Sequence, residues 1–411
     1  MTKNKRKLIF FWSYLEWGGA QIYFMAIMKE AMSDWDVVAV LPRHSSPEII
    51  RFLDQIGVKC EFLDFHLDLG TAPTVKRKVE RQWSRVRAEA ASLRFLRRYD
   101  LGESVLHIET APWQSWIFLT LLSLKKANVF VTMHNAVTTT ARWRRLVWRA
   151  RMQFVSRLPG FHIFASNKDT KNRIRHLVAP AFWESIAVTY TCVDPKQISG
   201  VLDRNNDVAS IRRRHGFRER DFIVLCVGQF IDRKGRWIYL DAAKSLVKDG
   251  ANIKFVWLTP VPPSEFEKKR IAAFDLGDSF RMMLSGDIGD KREDILEFFR
   301  IADIFALPSF VEGLPIALIE ASALGLPCIS TNVYAIPEAI ENNVTGILIE
   351  PGDAAALAQA ILKLKNDAPL RHKLAENGRK FVLKNFDQRL ASQIAIAKYK
   401  ECFTERGYDG R

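Results

Sequence analysis

Pro308-Ser309-Phe310-Val311-Glu312-Gly313-Leu314-Pro315-Ile316-Ala317-Leu318-Ile319-Glu320-Ala321-Ser322-Ala323-Leu324-Gly325-Leu326-Pro327 runs from the end of a strand, through a short loop, into a helix. Pro315 stands where the helix begins, since its fixed φ suits a first turn and its missing N–H is not needed there. Gly325 follows the last helical residue and Pro327 comes two residues later, the punctuation of a helix end. Glu312 lies in the loop and Glu320 about a turn and a half into the helix. The neighbours of Glu320 are apolar on nearly every side. An unpaired carboxylate there costs several kcal/mol, so Glu320 needs a partner. Two readings follow: a structural ion pair with an arginine, or a group that holds a ligand at the carboxyl edge of a sheet. The helix start beside Gly313, Leu314 and Pro315 offers free backbone N–H groups and a positive dipole end, which suits a phosphate.

The pattern continues on both sides of this stretch. Phe222–Val227, Ile253–Leu258, Phe280–Leu284, Asp303–Leu307, Cys328–Thr331 and Gly346–Ile349 are short apolar runs that read as buried strands. Helical patterns alternate with them at Arg236–Lys248, Ser264–Phe274, Arg292–Ile301, Ile316–Leu324, Pro337–Glu341 and Ala354–Lys365. This alternation indicates a parallel, doubly wound α/β sheet. The first half repeats the rhythm more loosely. Its strands are expected at Leu8–Trp12, Asp36–Leu41, Lys59–Leu63, Ser104–Ile108, Val129–Thr132 and Phe161–Ala165. Its helices are expected at Gly19–Met32, Pro47–Ile56, Val75–Arg98, Trp113–Leu124, Arg142–Arg157 and Lys168–Leu177.

The chain of 411 residues therefore reads as two α/β domains, 1–195 and 206–386, with the break near Val193–Asn206. A last helix, about Asp387–Phe403, carries Leu390, Ile394 and Ala397 on one face and is expected to pack back on the first domain. Two such domains leave a cleft at the carboxyl ends of their strands, where ligands of open α/β sheets bind.

Charge is uneven. Residues 1–200 hold 30 Lys+Arg and 17 Asp+Glu, whereas residues 201–411 hold 31 and 29. Most of the net +15 thus lies in the first half. Lys76 to Arg98 contains nine Lys+Arg and two Glu, and Arg142 to Arg157 contains six Arg and no acid, both interleaved with aromatic residues. The second stretch reads either as a basic amphipathic helix for an anionic membrane surface or as a core helix with a solvated arginine face. No nucleic-acid-binding signature accompanies these residues, so nucleic acid is not an expected partner. The longest uncharged stretch of this half, Ala111 to Leu124, falls short of the ~20 apolar residues of a membrane span. The basic start is followed by too short an apolar run for a signal peptide. Five widely spaced cysteines without a CxxC pair fit a reducing cytoplasm and suggest neither disulfides nor a zinc site.

Other segments carry chemistry. Val227-Gly228-Gln229-Phe230-Ile231-Asp232-Arg233-Lys234-Gly235 follows a strand, and Lys234 in its glycine-flanked turn is a point charge aimed at the cleft or a plain surface lysine. In Trp17-Gly18-Gly19-Ala20-Gln21, two glycines let the backbone come close to a diphosphate or sugar, though the pattern is no dinucleotide fingerprint. His134 in Val131-Thr132-Met133-His134-Asn135 and Glu109 in His107-Ile108-Glu109-Thr110 stand at strand ends, either as structural hydrogen-bonders or as pocket residues.

Together these segments resemble the retaining glycosyltransferases of family 4. Glu312 to Glu320 is similar to their E-x7-E signature, and Val227–Gly235 to their V-G-R-x-x-x-x-K-G turn. Ala165–Asp169, Tyr190–Asp194 and Gly346–Asp353 resemble further family elements. The resemblance implies the GT-B fold: two facing, doubly wound Rossmann-like domains with a central cleft. It implies transfer of a sugar from a nucleoside diphosphate to a glycan or lipid-linked acceptor in cell-surface polysaccharide or lipopolysaccharide synthesis. The nucleotide sugar is then a co-substrate, and no metal cofactor is expected. Glu320 would hold the ribose hydroxyls and Glu312 the sugar near the reacting carbon. Lys234 would hold the diphosphate. The family's arginine is replaced by Gln229, with Arg233 as a candidate substitute. Gly18, Gly19, Gly313, Leu314 and Pro315 would complete the donor site. Glu109 and His134 would line the acceptor pocket, with His134 also counted among the catalytic groups beside Glu312 and Lys234. The implied location is the cytoplasm, peripheral at the inner face of the plasma membrane. An inactive GT-B binding subunit and a GT-B phosphorylase or epimerase are the alternatives.

Overall fold

The structure, a computed structural model, describes residues 5–15, 18–67, 74–135, 141–204, 207–289 and 291–404. Trp17 of the N-terminal glycine loop lies outside them. The chain divides into two compact units, 1–190 with 389–411, and 191–388. The first unit holds 34 Lys+Arg against 19 Asp+Glu and the second 27 against 27, so the whole net charge belongs to the first.

The first unit is built on seven parallel strands: β1 (Lys7–Phe11), β2 (Asp36–Pro42), β3 (Lys59–Leu63), β4 (Ser104–Ile108), β5 (Asn128–Met133), β6 (Phe161–Ala165) and β7 (Ala187–Val188). Their order is β3-β2-β1-β4-β5-β6-β7. The strands are apolar throughout because both faces are covered. Along β1, Ile9 and Phe11 point into one core with Leu119, Leu122, Met152 and Val155. Leu8 and Phe10 point into the other with Tyr23, Phe24, Ile27 and Met28. The two-residue β7 was too short to stand out as a pattern in the sequence.

The C-terminal helix Gln388–Thr404 belongs, from Arg389 on, to this first unit. Its buried face is not the expected one. Leu390 and Ile394 are 49% and 42% exposed, and Ala397 is exposed as well. Ala391, Ala395, Tyr399, Cys402 and Phe403 are buried instead. Ala395, Tyr399, Cys402 and Phe403 join the core that holds Leu8 and Phe10. The Tyr399 hydroxyl meets Nδ1 of the buried His107 at 2.6 Å, a bond that the opposite face cannot make.

The second unit has six parallel strands: β8 (Phe222–Val227), β9 (Ile253–Thr259), β10 (Phe280–Leu284), β11 (Ile304–Leu307), β12 (Cys328–Thr331) and β13 (Ile347–Ile349). Their order is β10-β9-β8-β11-β12-β13. The division falls at 190/191 rather than within 193–206. Asp194-Pro195, inside the stretch expected to be the break, starts the helix Pro195–Leu202 of the second unit. The Asp194 side chain accepts from Lys196 N at 2.9 Å, and Pro195 takes the first helical position.

Helix Ile316–Ala323 is apolar all round because it is enclosed by β11, β12 and the helix Ala368–Asn385. At Gly378 of that second helix, a Cβ would lie 2.7 Å from the Thr345 carbonyl oxygen and 2.8 Å from Ser322 Oγ. Only glycine permits this approach, and the packing fixes the helix that carries Glu320.

Candidate active site

In the second unit the strand order reverses between β8 and β11, and ligands of open α/β sheets bind at such a point. The loops after these two strands carry Lys234 and Glu312. After β8 the backbone turns through Asp232–Lys234 into Gly235, whose φ is 73°. Gly228 has φ 146°, and an added Cβ would touch Lys234 Cε at 3.4 Å. The turn is tied to the other loop by Phe310 N donating to the Arg233 carbonyl at 2.8 Å.

Glu312 is 4% exposed. Lys234 Nζ lies 2.6 Å from its Oε1, Ser309 Oγ donates to the same oxygen at 2.8 Å, and Arg233 Nη1 is 3.8 Å from Oε2. Ser309 is held in turn by the loop geometry: its carbonyl accepts from Thr331 Oγ1 at 2.6 Å. The buried carboxylate thus gathers two cations at the switch point. Helix Ile316–Ala323 begins beside it at Pro315, and no side chain among the described residues caps it. Gly313, Leu314 and Pro315 lie between Glu312 and that helix start. Glu320, 5% exposed, pairs with Arg292 from the helix Arg292–Phe299. The sequence required a partner for Glu320 without identifying it, since Arg292 lies 28 residues away behind a strand. Gln229 stands in the same loop as Lys234, and its carbonyl accepts from Ile231 N at 3.0 Å.

The first unit has a second site at its own switch point, between β1 and β4. A cavity of about 360 Å³ opens there, lined by Phe11, Ile108 and Met133 at the strand ends and by Glu109 and His134 just beyond them. Burial pushes the Glu109 carboxyl up to about 7, against a smaller opposite effect of its hydrogen bond with Tyr14. Burial pulls the His134 imidazole down to about 4. Among the described residues, Glu109 Oε2 and His134 Nε2 are enclosed without hydrogen-bond partners. Tyr14 links Glu109 to the glycine loop: Gln21 Nε2 donates to the Tyr14 hydroxyl at 2.7 Å, and Gly18 N donates to Gln21 Oε1 at 2.9 Å. Gly18 itself is extended, with φ 177° and open space where a Cβ would go. Its backbone shape therefore does not require glycine, and Gly19 is the first residue of helix Gly19–Ala31. The sequence did not single out Arg85, Glu89 and Trp113, which line the same cavity. Arg85 and Glu89 were hidden inside a charge run, although their i,i+4 spacing puts them on one helix face.

Residues 207–381 match the family model of the group 1 glycosyl transferases. The amylovoran biosynthesis glycosyltransferase AmsK of Erwinia amylovora is 36% identical over 148 residues, 34% of this chain and 35% of that protein. The UDP-Gal:alpha-D-GlcNAc-diphosphoundecaprenol alpha-1,3-galactosyltransferase of Escherichia coli is 26% identical over 215 residues, 50% of this chain and 54% of that protein. The chain thus spans from about a third to about half the length of these curated relatives. The structure of Anabaena HepE in complex with UDP-glucose is similar over 96% of this chain and 100% of the other, with a TM-score of 0.74 at 16% identity. That likeness bears on the fold, which is that of the GT-B glycosyltransferases with their Rossmann-like domains.

Proposed function

On the match of residues 207–381 to the group 1 glycosyl transferases, we propose that the chain is a retaining glycosyltransferase using a nucleoside-diphosphate sugar. The observation that carries this reading is the buried Glu312 with Lys234 and Arg233 around it, beside the helix start at Pro315. Without substrate, Glu312 pairs closely with Lys234 and more loosely with Arg233, which leaves a net positive charge. With a donor bound, Lys234 and Arg233 turn to the diphosphate and Glu312 to the sugar hydroxyls. The acceptor hydroxyl attacks the anomeric carbon on the face from which the diphosphate leaves. The carbon–oxygen bond to phosphate breaks, its electron pair stays on the phosphate oxygen, and that oxygen takes the hydroxyl proton. Negative charge grows on the leaving group, where the cations and the N–H groups near Gly313 stabilise it. Glu320 holds the ribose hydroxyls, with Arg292 fixing its position. The proposed reaction uses no metal.

Calorimetric titration of UDP, GDP and ADP, followed by donor hydrolysis with the matching nucleotide sugars with and without membrane extract, tests this reading. Binding of one nucleotide with turnover supports it. Binding without turnover points to an inactive subunit, and absence of all binding overturns the donor site.

The acceptor side suggests a membrane surface and a lipid-linked glycan, of the kind named for the Escherichia coli relative. Helices Val75–Leu96, Trp116–Leu124 and Arg142–Val155 lie side by side in the basic first unit. Each exposes large apolar residues: Val79 and Trp83 on the first, Leu121 and Leu124 on the second, Trp143 and Leu146 on the third. Trp143 is 63% and Leu146 68% exposed, with Arg144, Arg145 and Arg149 exposed among them. Apolar insertion combined with basic residues binds anionic lipid, each Lys or Arg adding about 1 kcal/mol. Among the described residues no helix is long and apolar enough to cross a membrane. Co-sedimentation with phosphatidylglycerol-containing vesicles is expected to fall with added salt and on neutralising Arg144, Arg145 and Arg149. Equal binding to neutral vesicles would refute the electrostatic part.

A further inference from the structure

The turn after β8 is shaped from the neighbouring strand. Gly228 N donates to the Leu258 carbonyl at 2.9 Å, one more bond in the ladder between β8 and β9. The Gly228 carbonyl is taken by a side chain: Trp257 Nε1, from β9, donates to it at 2.8 Å. The Trp257 ring is fully buried and stands edge-on to Phe230 at 5.1 Å and to Tyr239 at 5.3 Å. The Tyr239 hydroxyl donates to the Val224 carbonyl at 2.7 Å, so the wall that holds the indole is itself fixed. Arg236 Nη1 donates to the Phe230 carbonyl at 2.6 Å, and its Nε to Asp232 Oδ1 at 2.8 Å. Gly228 and Phe230 are thus anchored on either side of Gln229.

The peptide bond between Gly228 and Gln229 is trans. In a planar trans peptide, the C=O and the following N–H point in opposite directions. With the Gly228 carbonyl turned onto the buried indole, the Gln229 N–H is turned away from it. The reverse orientation is closed, because an indole nitrogen only donates and would then face another donor. Gln229 is half-buried, and its N–H has no hydrogen-bond partner among the described residues. A backbone N–H without a partner in a fixed turn is a ready donor for an anion. A cation lies beside the same peptide: a Cβ on Gly228 would be 3.7 Å from Lys234 Nζ.

We propose that Trp257 is a positioning residue of the donor site: by holding the Gly228 carbonyl, it keeps the Gln229 N–H free to donate to the diphosphate beside Lys234. This rests on the nucleotide-sugar reading of the site. It gives Gln229 a phosphate contact that needs no charge on its side chain.

The test is a double-mutant cycle on the full chain, titrated by calorimetry with UDP, GDP and ADP. Trp257→Phe keeps a ring between Phe230 and Tyr239 and removes the indole N–H. Gln229→Pro removes the backbone N–H itself. Each is expected to weaken nucleotide binding about tenfold, the loss of one hydrogen bond to a charged group. The double variant is expected to bind within about twofold of Gln229→Pro alone, since Trp257 then has no N–H left to position. Losses that multiply to about a hundredfold would reduce Trp257 to a packing residue. Trp257→Phe binding as tightly as the wild type would overturn the proposal as well. Thermal unfolding reports whether each variant is folded. Where one is not, 3-benzothienylalanine at position 257 removes the indole N–H at nearly constant volume, and an α-hydroxy acid at position 229 replaces the N–H by an ester oxygen. A wild type that binds none of the three nucleotides overturns the donor reading and the role of Trp257 with it. A wild type that binds, with a cycle that fails, overturns the role of Trp257 alone.

Discussion

Lys234→Ala is expected to lower kcat/KM for sugar transfer by about 10²–10³-fold, the usual consequence of removing one group that stabilises charge in a transition state. The same change leaves Glu312 buried with Arg233 at 3.8 Å and Ser309 at 2.8 Å. Removing one partner of a buried pair costs up to about 3–5 kcal/mol, and the remaining partners should reduce the loss here to about 1–3 kcal/mol. Stability and catalysis can be told apart with a second variant. Lys234→Met combined with Glu312→Gln removes both charges, so it is expected to regain most of the lost stability and none of the transfer. Thermal unfolding beside steady-state kinetics checks this. A double variant that recovers activity along with stability would reduce the pair to a structural ion pair.

Gly235→Ala is the second large effect. The residue is left-handed at φ 73°, and a Cβ there would sit 1.8 Å from the carbonyl oxygen of Pro308 and 2.7 Å from its carbon. The obstacle is backbone, so no rotamer relieves it. A cost above about 3 kcal/mol is expected, near 10 °C in Tm for a unit of this size. Transfer should be lost as well, because the displaced segments carry Lys234 on one side and lead into Glu312 on the other. Gly250→Ala is the control. Its φ is 78° but nothing lies within 4 Å of a Cβ, so only the left-handed conformation is charged, about 1 kcal/mol. Equal losses in the two variants would show that φ alone, and not the contact with Pro308, governs the turn.

The two changes also mark which parts of the site were legible in sequence. Lys234 and Gly235 stood out as a cation and a glycine in a short turn after an apolar run. Glu320 stood out because a carboxylate amid Ile316, Leu318 and Ile319 has to be paired. Its partner was not legible, since Arg292 resembles any surface arginine until a helix brings it across. Arg85 and Glu89 were hidden for a related reason. In a helix with many charges, sequence alone does not separate those facing solvent from those facing a cavity. The C-terminal helix shows the same limit. Leu390 and Ile394 looked like its buried face, yet one hydrogen-bonding tyrosine and its neighbours decided the orientation. The bond with His107 and the burial of Tyr399, Cys402 and Phe403 outweigh the burial of two larger apolar chains.

By itself the sequence determined two α/β units, the run of strands and helices in each, and the strand-end loops where chemistry gathers. These follow from local periodicity and turn residues, which act over a few positions at a time. Only the tertiary structure decided the rest: that all of the net charge belongs to the first unit once the last helix joins it, that Glu320 meets Arg292, and that Arg85 and Glu89 share one cavity with Glu109 and His134. Each of these depends on residues far apart in the chain. Their meeting is governed by the order in which parallel strands pair, and no short window of sequence carries that order.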